Sequence, residues 1–253
     1  MNAVVDALDA AQGMTCLVGA GGKKTTLYAL ANRLDQALLT ATVRIPIFDR
    51  EVAAVRLTED PVAVLGGTPD GDGGLHADGD LPFPLGLVPE RDRSDRYLGY
   101  EPDVVDAINA AHDGPVLVKA DGARTRLLKA PNDREPQIPQ NADTVVPVAS
   151  TGAVGKSLST ETVHRPERVA EITGVAVGDE ITAELIGRVL AHPQGGLKAI
   201  PPNATPIPLV NAVDDARDAA TARDIAAAVH EHSDVPRVVL ARMIDEAIVD
   251  IVE

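Results

Sequence analysis

The chain has 253 residues, a length that allows one large α/β domain with a substantial buried core. Its 38 acidic residues outnumber 23 basic ones, and the formal net charge of −15 argues against nucleic-acid binding, which needs a basic surface. An acidic, alanine-rich, lysine-poor composition with 2% aromatics is typical of halophilic proteins. We expect a cytoplasmic protein without membrane contact, because neither a signal peptide nor an apolar run of about 18 residues is present.

Short apolar runs alternate with alanine-rich helical patterns along the whole chain. The apolar runs predict six buried strands, at residues 15–18, 37–42, 115–120, 144–148, 207–210 and 237–241. The helical patterns predict helices at residues 25–34, 102–112, 166–173, 182–191 and 214–230. Apolar strands separated by helices are typical of a sheet covered on both faces. We therefore predict a single α/β domain over residues 1–253, with a doubly wound, mostly parallel sheet.

Three segments do not follow this alternation. Residues 66–96 are rich in glycine, proline and charge, so we interpret them as a surface insertion or hairpin. Residues 124–141 follow the third strand, where a loop at the carboxyl end of a strand commonly binds ligands in open α/β sheets. Residues 243–253 fit a helix or a strand equally well.

The most informative motif lies between the first predicted strand and the first predicted helix, where the sequence reads Gly19-Ala20-Gly21-Gly22-Lys23-Lys24-Thr25-Thr26. In such a setting the backbone N–H groups and the helix N-terminus hold phosphate oxygens, and glycines let the backbone approach the ligand. A lysine would reach the β- and γ-phosphates, and a threonine hydroxyl would ligate Mg²⁺. The motif therefore predicts binding of ATP or GTP with Mg²⁺ and a P-loop NTPase-like fold.

The motif departs from two stricter patterns. The P-loop spacing would place its glycines at Val18 and Lys23, so this loop is a shortened or shifted variant. A dinucleotide-binding pattern would place its third glycine at Lys24, which makes a nicotinamide cofactor the weaker choice. A glycine-rich turn with solvated lysines is the alternative that needs no ligand.

Two further positions follow predicted strands. Asp121 ends the third strand, where a carboxylate can hold Mg²⁺ together with Thr25, although an aspartate before glycine is also a common turn former. Asn211 and Asp214 have the Asn-x-x-Asp spacing with which GTPases bind guanine, although Asp214 would equally serve as the N-cap of the next helix.

Polar residues elsewhere are candidates for a second ligand. Thr40 and Thr42 close the second strand, with Arg44 just beyond it, so two hydroxyls and a cation could face the phosphate crevice, although threonines also simply suit a strand. Arg165 is available for an anionic substrate, and His164 beside it either acts on a substrate or orients its loop. The other histidines show no spacing typical of metal ligands.

Five blocks together resemble the YqeC family, whose members are described as accessory proteins of selenium-dependent molybdenum hydroxylases. The blocks are residues 18–26, Ala120-Asp-Gly-Ala-Arg124 with Leu128-Lys-Ala-Pro131 and Glu135-Pro-Gln-Ile-Pro139, Gly155-Lys156, Val163-His-Arg-Pro-Glu167 and Asn211-Ala-Val-Asp214. The chain departs from the family pattern at Lys119, where an acidic residue is expected, and in its doubled lysine.

The resemblance implies a nucleotide-binding protein that acts in maturation of a molybdenum-cofactor hydroxylase. We expect slow hydrolysis or phosphoryl transfer, with Lys23 or Lys24 neutralising phosphate charge and Asp121 at the metal. Arg124, Lys129, His164 and Arg165 would then contact a second substrate or a client enzyme. The alternatives are a non-catalytic carrier of a phosphate-bearing molybdopterin-type cofactor and a small-molecule kinase.

Overall fold

The computed structural model describes residues 3–66 and 81–253. In these ranges the strands are β1 (Met14–Gly19), β2 (Leu38–Ala41), β3 (Ile45–Pro46), β4 (Ala54–Leu57), β5 (Leu85–Val88), β6 (Arg91–Arg93), β7 (Arg96–Tyr97), β8 (Val116–Lys119), β9 (Leu128–Lys129), β10 (Thr144–Ser150), β11 (Val163–His164), β12 (Thr205–Pro206), β13 (Leu209–Asn211), β14 (Val238–Arg242) and β15 (Ala247–Val252). The helices are α1 (Ala3–Ala7), α2 (Lys23–Ala31), α3 (Pro61–Leu65), α4 (Pro102–Ala111), α5 (Pro166–Thr173), α6 (Ala183–Ala191) and α7 (Ala216–His232). None of these helices has the length and apolar character needed to cross a membrane.

Within residues 3–66 and 81–253, the main sheet has ten strands and a mostly parallel order. Its path is β4-β5-β2-β8-β1-β10-β13-β14-β15, and β12 also pairs with β10. The neighbouring pairs are parallel except β14 with β15 at one edge. The predicted α/β fold with a mostly parallel sheet is therefore confirmed, and it is consistent with a P-loop NTPase-like arrangement.

Alternate side chains of the central strands pack against helices on opposite faces of the sheet. On one face, Leu17 of β1 joins Leu27 and Leu30 of α2 in a buried cluster. On the other face, Cys16 joins Val105 of α4, and α5, α6 and α7 cover the strands toward β14. This alternation places β1 in the middle of the sheet with both faces covered, as expected for a parallel strand.

The six predicted strands and five predicted helices are all present, with shifts of a few residues at their ends. The prediction for residues 66–96 is wrong in part. Residues 67–80 lie outside the described ranges, but Leu85–Val88 is a fully buried strand that pairs with both β2 and β4. Residues 91–97 do form a hairpin of β6 and β7. The open choice at 243–253 is resolved as the edge strand β15.

Candidate functional site

The glycine-rich loop leaves the carboxyl end of β1 in a conformation that requires glycine. The φ angles are 87° at Gly19, 86° at Gly21 and 148° at Gly22. A Cβ atom at Gly21 would lie 2.7 Å from the Cβ of Ser150, and one at Gly22 would lie 2.1 Å from the Nδ2 of Asn211. Backbone dihedrals and packing therefore both exclude side chains here.

The loop ends at an uncapped helix N-terminus. Gly22 is the N-cap of α2, and as a glycine it has no side chain that could accept a hydrogen bond from the first turn. The first N–H groups of a helix have no partner within the helix, so this end of α2 attracts an anion. Thr26 uses its hydroxyl to donate to the Gly22 carbonyl at 3.2 Å. Thr25 is partly exposed, and among the described residues its hydroxyl has no hydrogen-bond partner.

The two neighbouring lysines differ in environment. Lys23 is 5% exposed, and its Nζ lies 2.7 Å from Oδ1 of Asp121 and also donates to the Gly19 carbonyl. Lys24 is exposed. Burial lowers the pKa of Lys23, and the contact with Asp121 opposes that shift. Of the two lysines, only Lys23 therefore contacts the predicted carboxylate.

Asp121 follows β8, which lies beside β1, and its side chain is buried under the loop. Its Oδ2 accepts from the Gly19 N–H at 2.8 Å and lies 2.9 Å from Nζ of Lys129. Burial alone would raise the pKa of Asp121, but Lys23 and Lys129 outweigh it and lower the pKa. The loop and Asp121 thus occupy the same edge of the sheet, as the sequence predicts.

A chain of charges continues from Asp121 away from the loop. The side chain of Lys129 is fully buried, and its Nζ lies 2.8 Å from Oε2 of Glu135. The same Oε2 lies 2.8 Å from Nη1 of Arg165, and Oε1 accepts from the Gly122 N–H at 3.3 Å. Burial would raise the pKa of Glu135, but Lys129 and Arg165 together outweigh it and lower the pKa. These contacts form a buried ion cluster of Lys23, Asp121, Lys129, Glu135 and Arg165.

The sequence pattern predicts no role for Glu135, although the segment from Glu135 to Pro139 belongs to one of the sequence blocks described above. The only signal available was an acidic residue flanked by a proline in the loop of residues 124–141. Its partners Lys129 and Arg165 belong to or adjoin β9 and β11, which pair with each other in parallel. The pairing of β9 with β11 therefore brings Lys129 and Arg165 together at Glu135.

An open cavity of about 560 Å³ adjoins the ion cluster. Its lining combines segments that follow β2 and β8 with the turn before α5, and includes Thr42, Arg44, Leu98, Glu101, Gly122, Arg124, Glu135, Gln137, His164 and Arg165. Three of the four residues predicted to contact a second substrate therefore share one cavity, and the fourth, Lys129, lies buried behind Glu135. Partial burial and the neighbouring cations, Arg165 first, lower the pKa of His164 to about 4.

Asn211 and Asp214 have different environments. The Asn211 side chain donates to the Gly21 carbonyl at 2.8 Å and accepts from the Met243 N–H at 2.9 Å. Asp214 is exposed. The N-cap of α7 is Asp215, which accepts from two N–H groups of the first turn, so the alternative that Asp214 caps this helix is wrong. The structure thus brings Asn211, but not the Asp214 carboxylate, into contact with the loop.

Thr40 of β2 and Thr42 just beyond it form hydrogen bonds that stabilise the fold. The Thr40 hydroxyl donates to the Leu87 carbonyl at 2.8 Å, and the Thr42 hydroxyl donates to the Gln137 carbonyl at 2.6 Å. Lys119, which stands where an acidic residue was expected, is buried and donates to the Arg44 carbonyl at 2.9 Å. Burial lowers the pKa of Lys119 to about 7. These bonds hold the segment after β2 against the edge that carries the cavity.

Metal-binding groups are sparse in the described part of the chain. Glu184, Glu231 and His232 bring one ligand atom each within 4.8 Å of the others, although all three are exposed. His232 therefore has acidic neighbours that sequence spacing did not reveal, because Glu184 comes from a different helix. This group lies on α6 and α7, away from the loop.

Comparison with known proteins gives a consistent result. The family model described as YqeC protein matches residues 15–167. An Escherichia coli (strain K12) protein named "Uncharacterized protein YqeC" is 26% identical over 221 residues, which cover 85% of this chain and 82% of that protein. No solved structure matches the chain. The matched region contains the glycine-rich loop, Asp121 and the cavity residues before α5.

Proposed function

The chain belongs to the YqeC family, and from this premise we propose that it is a cytoplasmic protein that binds a nucleoside triphosphate with Mg²⁺ and assists maturation of a molybdenum-cofactor hydroxylase. One observation carries the nucleotide part of this proposal. A loop of three glycines with positive φ joins a central strand to an uncapped helix, and Lys23 is buried beside it against Asp121. The maturation role, and any part of selenium in it, is supported by the family resemblance.

The residues present fit the phosphates of a nucleotide. The first-turn N–H groups of α2 are donors for phosphate oxygens. The missing Cβ atoms of Gly19, Gly21 and Gly22 let the loop pack closely against β10 and Asn211. Lys23 is proposed as the phosphate-binding lysine, because its ammonium group lies under the loop and is shared with Asp121. If the Lys23 ammonium group moved from Asp121 to the ligand, Asp121 would remain paired with Lys129.

Thr25 fits the role of a Mg²⁺ ligand, since it lies in the first turn of α2 and its hydroxyl is not used by the described residues. Asp121 fits less well as a direct ligand, because an ammonium group lies 2.7 Å from its Oδ1 and another lies 2.9 Å from its Oδ2. A bound Mg²⁺ ion would neutralise charge between the β- and γ-phosphates. In the proposal Asp121 orients Lys23 and Lys129 and remains a candidate for contact with the metal through water.

A second candidate function is phosphoryl transfer to a small molecule. It is favoured by the cavity at the Glu135 end of the ion cluster, because a kinase requires a pocket for the acceptor molecule. Glu135 supplies a carboxylate at that cavity, and its lowered pKa keeps it ionised. Simple hydrolysis would require no such cavity.

The test is binding and hydrolysis of ATP and GTP with Mg²⁺ at high salt by the wild type, Lys23→Ala and Lys24→Ala. We expect Lys23→Ala to weaken binding about tenfold or more, because a charge-assisted hydrogen bond is lost, and Lys24→Ala to change it little. Far-UV circular dichroism checks that each variant is folded. Absence of binding by the wild type would support the rival function of a carrier for a phosphate-bearing molybdopterin-type cofactor.

A further inference from the structure

Three arginines line the cavity beside the ion cluster, and they differ in how far their charge is compensated. Nε of Arg44 lies 2.6 Å from Oδ2 of Asp92, and Arg165 pairs with Glu135. Arg124 is exposed and has no ion-pair partner within residues 3–66 and 81–253. The cavity thus presents one uncompensated guanidinium and two others at its wall.

The charge of the wall is positive despite the acidic composition of the chain. Three arginines and two glutamates, Glu101 and Glu135, line the cavity, and Lys129 is buried directly behind Glu135. His164 also lines the cavity, and its lowered pKa leaves the imidazole neutral at pH 7, with hydrogen-bonding atoms but no charge. After burial, Arg165, Lys129 and Arg124 contribute to that lowering of the His164 pKa, and Glu135 opposes it.

The backbone around the cavity is held in an uncommon conformation. Arg124 has a φ of 48°, Thr125 has a φ of 59°, and Arg165 has a φ of 67°. Left-handed conformations are unfavourable for such residues and persist where the surrounding structure fixes them, often at ligand sites. The backbone at Arg124 and at Arg165 is therefore held in a constrained conformation at the cavity.

We propose that this cavity binds the phosphate group of a small molecule, with Arg124 as its principal contact and Arg44 and Arg165 beside it. Guanidinium groups form paired hydrogen bonds with phosphate oxygens, and a phosphate offers three acceptor oxygens to three arginines. Glu101 and Glu135 disfavour a larger polyanion by repulsion. The inference rests on the proposed function, because it treats this molecule as a second ligand in addition to the nucleotide.

The test uses inorganic phosphate as the probe and counts bound phosphate per chain by equilibrium dialysis. We expect two phosphates in the wild type, one at the loop and one in the cavity, and one phosphate in either Lys23→Ala or Arg124→Ala. The affinity of the cavity site should fall about tenfold or more in Arg124→Ala, as for loss of a charge-assisted hydrogen bond. Arg223→Ala is the matched control, because Arg223 is an exposed arginine that pairs with Asp250 outside the cavity, and it should retain both.

The outcomes separate this inference from the proposed function. A single phosphate that is lost only in Arg124→Ala supports the cavity site and contradicts the phosphate loop. A single phosphate that is lost only in Lys23→Ala overturns the cavity site and leaves the loop. Retention of two phosphates in Arg124→Ala also overturns it. Saturable binding of acetate, but not phosphate, that depends on Arg124 would overturn the assignment to phosphate.

Discussion

The buried ion cluster makes a quantitative prediction about stability. Asp121→Asn keeps the shape of the side chain but leaves two buried ammonium groups, on Lys23 and Lys129, with one fewer carboxylate between them. Removal of one partner from a buried ion pair costs about 3–5 kcal/mol. We expect that loss in the free energy of unfolding at pH 7.

Lys129→Met should cost less than Asp121→Asn. Without Lys129, Asp121 still contacts Lys23 and the Gly19 N–H, and Glu135 still contacts Arg165. The cluster then holds two cations and two anions, whereas Asp121→Asn leaves three cations with one anion. The double variant removes one charge of each sign, so its cost should fall below the sum of the single costs by about 1 kcal/mol or more.

The assay is urea unfolding followed by far-UV circular dichroism, since the chain has no tryptophan. In Asp121→Asn the pKa of Lys23 should fall further, because the attraction that opposes its burial is gone. Its folded-state pKa then lies below the unfolded value of about 10.4, so stability of this variant should rise with pH through that window. A cost below about 1 kcal/mol for Asp121→Asn would show that Asp121 does not stabilise the two buried ammonium groups. Additive costs in the double variant would show that Asp121 and Lys129 do not interact energetically.

Two other predictions concern the same edge of the sheet. Gly22→Ala should lower the free energy of unfolding by about 2 kcal/mol or more in thermal melts, because the φ angle of 148° and the contact with Asn211 both oppose a Cβ. Gly155→Ala is its control, since Gly155 has a φ of 79° but open space around it, and a loss as large there would show that packing is irrelevant. Lys119 has a pKa of about 7 when folded and about 10.4 when unfolded, so the wild type should gain stability from pH 7 to pH 10, by at most about 1.4 kcal/mol per pH unit from this residue. Lys119→Met should reduce the increase in the free energy of unfolding with pH, as measured by urea unfolding. An unchanged increase would contradict the lowered pKa of Lys119.

The fold could be predicted from the sequence where burial on both faces leaves an uninterrupted apolar run. β1 and β10 are examples, because the sequence around each is apolar and both are almost wholly buried. β5 escaped prediction because its four residues contain a glycine and lie between Pro84 and Pro89, which read as a loop. Its identity as a strand depends on pairing with β2 and β4, and such long-range pairing leaves no local pattern.

The site could be predicted only in part for a similar reason. Strand ends placed Asp121 beside the loop correctly, since both follow adjacent parallel strands. The sequence could not distinguish Lys23 from Lys24, because neighbours on a helix differ by about 100° in direction and only the register of α2 decides which one is buried. Glu135 was missed because its partners come from β9 and β11, whose pairing has no sequence signature.

Asn211 shows how a correct position can have a different role from the predicted one. Its amide holds the Gly21 carbonyl, and its carbonyl oxygen holds the Met243 N–H just beyond β14. These two bonds hold the loop against the sheet, which reduces the ordering that phosphate binding would require. They also give the Asn211 side chain a structural role that does not require a nucleotide base. Recognition of guanine would then depend on the exposed carboxylate of Asp214, where water competes for every hydrogen bond, so the structure gives the Asn-x-x-Asp spacing a mainly architectural role.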